Sequence, residues 1–149
     1  MITDFEFLLS EHSNIVFRPD RYDTNLFEIA KLKPDGESYA YNAVRFKKER
    51  VEELYSLLMK GIFLPKNTYP FFSTQINGTT VRIINCLGDF ITEYKTYKFT
   101  YTEWDCSEKY DFRVWYNNYT ECEKGMRLTE DECLNLALFL KRNFNCNIK

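Results

Sequence analysis

Positive charge is not in excess in this chain. Lys and Arg number 20 against 22 Asp and Glu over 149 residues, for a net charge of −2 and a pI near 5.5. Affinity for nucleic acid comes largely from surplus cations, so a broadly basic binder is excluded and any polyanion-binding surface has to be local. Division after Gln75 leaves 10 basic and 11 acidic residues on each side, so neither half hides a basic tail. Histidine is nearly absent: His12 stands alone in a polar stretch, and there is no H-E-x-x-H, G-x-S-x-G or P-loop pattern. An enzyme is therefore not expected, nor a metal or a cofactor. Five cysteines, odd in number and without a C-x-x-C pair, argue against a disulfide framework and against a zinc site. No apolar run approaches the roughly 20 residues that span a bilayer. Asp4 and Glu6 interrupt the stretch where a signal peptide would be basic and then apolar. The expectation is an intracellular protein of nucleus or cytoplasm, with reduced thiols, no membrane partner and unused sequons at Asn77 and Asn118. Abundant Asn, Ile, Lys and Tyr fit an AT-rich genome, and for a viral source the host cell would be the compartment.

What is present is apolar and aromatic: 44% hydrophobic and 17% aromatic residues, ample for a packed core. Thr129-Glu130-Asp131-Glu132 reads as a capping box, with acids in the first turn and Lys141-Arg142 in the last. Cys133, Leu136, Ala137 and Leu140 repeat at i, i+3, i+4, i+7, and Leu134, Leu138 and Phe139 widen the apolar surface beyond one stripe. A second helix is predicted where Val51, Leu54, Tyr55 and Leu58 share a face, with Lys47 to Arg50 as its exposed first turn and Gly61 at its C-terminal cap.

A shift of 82 positions lays Val44-Arg45-Phe46 on Met126-Arg127-Leu128 and Val51, Leu54, Leu58 on Cys133, Leu136, Leu140. The strand-like stretches Asn25 to Leu32 and Tyr110 to Asn117 follow at nearly the same shift, the first copy carrying a longer hairpin with Pro34-Asp35-Gly36. These coincidences indicate an internal repeat. Shorter strands are expected at "FEFLL" and "NIVFRP", longer ones at "TTVRIINCL" and "YKTYKFTYTEW" with a turn at Gly88-Asp89. The predicted fold class is α+β: two tandem units of antiparallel sheet plus helix, residues 1–64 and 76–149, joined by a Pro-containing linker at 65–75. Units this small need each other's helices for a core, so the wide apolar helix predicts a helix–helix interface and an intramolecular pseudo-dimer.

The segment from Glu93 to Arg142, about a third of the chain, carries an aromatic strand, a turn, "YDFRVWYN", a loop, "KGMRL" and one helix. It resembles the C-terminal domain of the eukaryotic transcriptional coactivator positive cofactor four, without a gap from Lys95 to Tyr116. That resemblance implies single-stranded DNA binding across curved sheets and dimerisation through helices. It places Trp104 and Tyr116 on base-stacking positions and Lys95, Arg113 and Lys124 on phosphate-facing ones. Stacking on aromatic rings with interleaved cations is chemically sound for sequence-tolerant binding, at ~1–3 kcal/mol per base. Asp105, Ser107, Tyr97 and Thr102 replace basic residues of the coactivator, which implies weaker or more salt-sensitive binding. In the first copy Lys31 stands where Tyr116 does, and Asn42-Ala43 replaces Lys124-Gly125. Trp104 and Tyr116 also read as ordinary core aromatics, and the three cations as solvated sheet residues. Strand alternation sets Arg113 and Trp115 on one face and Tyr116 on the other with Phe112 and Val114.

Two functions follow as expectations. One is a single-stranded DNA (or RNA) binding protein of low sequence preference in transcription, replication or recombination. The other is a protein-interaction module that docks transcription or replication machinery such as a polymerase, or inhibits a DNA-binding protein through acidic charge. The expected oligomeric state is a monomer with internal pseudo-symmetry or a homodimer.

Overall fold

β-Branched and aromatic residues in alternation build two antiparallel sheets, each followed by one helix, in a computed structural model that describes residues 4–33 and 40–147. The hairpin expected around Pro34-Asp35-Gly36 lies outside the described residues. The first sheet has the order β1 (Phe7–Leu8), β2 (Ile15–Pro19), β3 (Leu26–Leu32), β4 (Ala40–Lys47). A 3₁₀ turn at Lys48–Arg50 leads into α1 (Val51–Phe63). The second sheet contains β5 (Phe72–Ile76), β6 (Thr79–Ile91), β7 (Thr96–Trp104), β8 (Ser107–Arg113) and β11 (Met126–Leu128), in the order β11-β8-β7-β6-β5. Between β8 and β11 the chain makes a small hairpin, β9 (Trp115–Tyr116) with β10 (Glu121–Cys122), and it finishes in α2 (Glu130–Phe144). The α+β class with antiparallel sheets is as the sequence indicates.

The capping box forms as read: the Glu132 amide donates to the Thr129 hydroxyl at 3.1 Å, and the Thr129 amide donates to the Glu132 carboxylate at 2.8 Å. Such a cap stabilises a helix by about 1 kcal/mol. Val51, Leu54, Tyr55 and Leu58 of α1 and Cys133, Leu136, Ala137 and Leu140 of α2 are all buried. The two helices pack on each other inside one core that also takes Phe17, Phe27, Val44 and Phe46 from the first sheet and Phe99, Phe112, Met126 and Leu128 from the second. Each such side chain contributes roughly 1.5–3 kcal/mol by leaving water. The extra apolar width of α2 has two destinations. Phe139 packs against Phe5, Phe7 and Phe17, with the Phe7 ring stacked at 4.3 Å, whereas Leu134 and Leu138 stay exposed. The width thus serves the first sheet's N-terminal strand as well as α1.

Three local expectations are corrected. Lys47 closes β4 and Lys48 to Arg50 form a 3₁₀ turn, so α1 begins at Val51. Gly61 is not a cap, because α1 continues to Phe63; a Cβ there would meet Phe99 and Tyr110 at 3.0 Å, and its carbonyl accepts the Tyr110 hydroxyl at 2.8 Å. Glycine is placed by that close approach of helix and sheet. Gly88-Asp89 is no turn either: β6 runs through it with register shifts at Ile83/Asn85 and Cys86/Gly88, and the chain reverses at Thr92 to Lys95 instead. Asp89 stays in the ladder opposite Lys98 and pairs with it at 3.2 Å. β5 starts at Phe72, within the stretch read as linker. Among the described residues no helix is long and apolar enough to cross a membrane.

Candidate nucleic-acid interface

Period-two alternation sorts the second sheet's side chains. Tyr97, Phe99, Tyr110, Phe112, Met126 and Leu128 face the helices, so Thr100, Thr102 and Trp104 of β7, Lys109, Asp111 and Arg113 of β8 and Arg127 of β11 share the outer face. Asp111 is completely buried there between two guanidinium groups. Arg113 donates to it through Nε at 3.1 Å and Nη2 at 3.2 Å, and Arg127 Nε lies 3.3 Å away. Burial raises the Asp111 carboxyl above its ordinary range, and the two arginines oppose that. Burial likewise disfavours the Arg113 charge, but Asp111 outweighs it and the guanidinium pKa is raised; for Arg127 burial wins and lowers it. Arg127 Nη2 also donates to the Thr102 and Ser107 carbonyls at 2.9 and 3.0 Å, which ties the β11 edge to the β7–β8 turn. That turn has Asp105 and Cys106 in left-handed conformation, as a two-residue hairpin requires.

Arg113 has a second role. Its guanidinium carbon sits 4.2 Å from the Trp104 ring centroid, a cation–π stack that fixes the half-buried indole on the outer face. Gly125 makes that stack possible, since a Cβ at this position would lie 2.4 Å from Arg113 Nε. The "KG" of the motif is therefore explained by packing: the backbone must pass directly beside a buried guanidinium. The Gly125 carbonyl in turn accepts from Asn42 Nδ2 at 2.8 Å, joining the β11 and β4 edges of the two sheets.

The five residues singled out in the sequence fall into two groups. Trp104 and Arg113 are stacked, and Lys124 lines the same cavity as Arg113. Arg113 is only 8% exposed and engaged with Asp111 and Trp104, so it acts first as the support of the indole. Lys95 and Tyr116 lie elsewhere, around Glu123, which accepts from Lys95 Nζ at 2.6 Å and from the Tyr116 hydroxyl. These bonds lower the Glu123 pKa and raise those of Lys95 and Tyr116. Tyr116 is 45% exposed and, by alternation, does not share the Trp104 face.

The sequence reading missed the β9–β10 hairpin as a cover. Asn117, Asn118 and Tyr119 all take left-handed conformations, and the turn brings Tyr119 over the β5–β6 side of the outer face. Its ring lies 5.6 Å from Phe72 and 5.5 Å from Trp115, and Trp115 lies 6.4 Å from Trp104. The Tyr119 hydroxyl meets Cys86 Sγ at 3.8 Å, and burial with that contact pushes its pKa up to about 12. The aromatic row closes one end of the face, Thr100, Thr102 and Asp111 are buried in its middle, and at the β8–β11 end Lys109, Arg113 and Arg127 line a cavity. The Asn-Asn pair was the signal, since Asn tolerates positive φ. Among the described residues no cluster of His, Cys, Asp or Glu is arranged to hold a metal ion. No family model, no curated protein and no solved structure matches this chain.

Proposed function

We propose that the protein binds single-stranded nucleic acid with little sequence preference, through the outer face of the second sheet, as an intramolecular pseudo-dimer of two units like the positive cofactor four domain. The observation that carries this reading is the Trp104–Arg113 stack beside a basic cavity, an aromatic platform with cations next to it. The pairing registers support the tandem reading. Glu28 opposes Arg45 in β3–β4 as Asp111 opposes Arg127 in β8–β11, and the Asn42 amide reaches Gly125 across the edges. Transcription, replication or recombination are the processes such a binder serves.

Trp115→Phe leaves Trp104 as the single tryptophan, so its emission reports directly on stacking. Addition of unlabelled oligothymidylate at low salt quenches that emission under this reading. Emission that stays constant up to excess oligonucleotide, at micromolar protein, rejects it.

A second reading, protein docking, is favoured by one observation: Phe63, Tyr69 and Phe71 are 72%, 83% and 58% exposed along the α1–β5 connection. Contiguous exposed apolar side chains mark interaction sites. Retention of a protein partner by a chain that ignores oligonucleotides would select this reading over the first.

A further inference from the structure

Where the two sheets meet there is a cavity of about 530 Å³, a volume suited to a small ligand. Its cations come from both halves of the chain: Lys31 from the end of β3, Lys109 and Arg113 from β8, Lys124 from the loop before β11, and Arg127 from β11. His12 adds a polar side chain from the loop between β1 and β2. Two acids stand against these five cations, and both are already engaged. Asp111 is held by Arg113 and Arg127. Glu132 accepts from the Thr129 amide and from the Ser13 hydroxyl. The side chains of Lys31 and Lys109 make no hydrogen bond or ion pair among the described residues. The Lys31 and Lys109 ammonium groups thus stand unbalanced in a concave site of a chain whose net charge is −2, and a concave site lined by one sign of charge concentrates ions of the other. Ammonium and guanidinium donors that converge on one cavity suit a phosphate, whose oxygens accept several charge-assisted hydrogen bonds at once. Arg113 belongs to the cavity and to the Trp104 stack, so the basic pocket continues directly from the aromatic platform.

We propose that this cavity is a phosphate-binding subsite that takes the phosphate of a nucleotide in the bound single strand, with Lys31 and Lys109 as its ligand-contacting cations. The proposal rests on the single-strand reading for the source of the phosphate and on the cavity for the site. It gives the first sheet a share in binding through Lys31.

The test is calorimetric titration of the full chain with thymidine monophosphate and with thymidine, beside anisotropy of a labelled 15-residue oligothymidylate across salt. The wild type takes up the monophosphate and not the nucleoside. The double variant Lys31→Gln/Lys109→Gln, with unchanged circular dichroism and melting, loses the monophosphate heat. Its oligothymidylate affinity falls by about tenfold, and its salt slope becomes shallower by about 0.7, the value for one phosphate contact on a single strand. Absence of monophosphate heat in the wild type, or its persistence in the double variant, overturns the subsite. Oligothymidylate binding that survives such a result leaves the single-strand reading standing by itself. Lysine-dependent monophosphate binding without any oligothymidylate binding confirms the subsite and removes the strand as its source.

Discussion

The outer faces of the two sheets start from one plan and end in opposite electrostatic states. In both, a buried acid in the strand next to the edge strand that leads into the helix lies across the ladder from an arginine: Glu28 opposite Arg45, and Asp111 opposite Arg127. On the first sheet the arginines are outnumbered by acids. Arg18 meets Glu28 at 2.8 Å and Glu6 at 3.2 Å, and Arg45 meets Asp20 at 3.0 Å and Glu28 at 3.2 Å. On the second, Asp111 serves two arginines, and Lys109, Lys31 and Lys124 gather beside it. The arginines of the first face are paired with acids, whereas the side chains of Lys31 and Lys109 beside the second have no partner among the described residues. Local charge balance, rather than fold, thus separates the two similar sheets, and under the proposed function it accounts for polyanion binding by a chain of net charge −2.

The comparison is broken most severely at the buried acids. Asp111→Ala strands Arg113 and Arg127 on a buried face, and a loss of about 3–5 kcal/mol in chemical denaturation is expected. Glu28→Ala should cost less, roughly 1.5–3 kcal/mol, because Arg18 keeps Glu6 and Arg45, whose side chain is 48% exposed, returns to water. Equal losses would mean that the two networks are equivalent in strength.

Gly125→Ala comes next. The methyl group displaces Arg113 from Asp111 and Trp104, at a cost of about 1–3 kcal/mol, and oligonucleotide affinity falls with the tilted indole. Ala43, which the sequence alignment of the halves sets against Gly125, can become Gly for roughly 0.5–1 kcal/mol, without effect on binding. A Gly125→Ala protein as stable and active as wild type would show that the guanidinium position is not constrained.

Acid titration separates the faces more gently. Asp20 accepts from the Tyr22 and Asp23 amides and from Arg45, and these bonds outweigh burial and lower its pKa below the ordinary carboxylate range. A carboxylate with a depressed folded pKa binds fewer protons than it does unfolded, so its stabilisation is present above about pH 3.8 and is lost as pH falls through the folded value. Melting temperatures of Asp20→Asn should therefore drop less between pH 5 and pH 2.5 (about one unit on either side of the ordinary carboxylate range) than those of wild type. Parallel curves would remove Asp20 from the acid response.

Much of this architecture is legible in the chain. The capping box at Thr129, the buried stripes of both helices and the strand alternation around Phe112 and Arg113 are local patterns, and local patterns survive folding. The Asp111–Arg113 pair could be read from its i, i+2 spacing on one strand face. Its third member, Arg127, requires the β8–β11 register. Gly88 misled because glycine marks bulges as well as turns. Trp115 and Tyr119 needed the path of the β9–β10 hairpin, and the basic cavity needed the meeting of two sheets, which brings Lys31 of β3 beside Lys124 although no sequence pattern relates them. Charge that is scattered along the chain became local only in three dimensions.

The central claim, that the second sheet's outer face binds a single strand through Trp104, is tested most directly by anisotropy of a labelled oligothymidylate at low and moderate salt with wild type and Trp104→Ala. The account predicts binding at micromolar protein that weakens as salt rises, and a loss of about tenfold or more without Trp104, in line with about 1–3 kcal/mol per stacked base. No binding by the wild type, or identical curves for the two proteins, would contradict it.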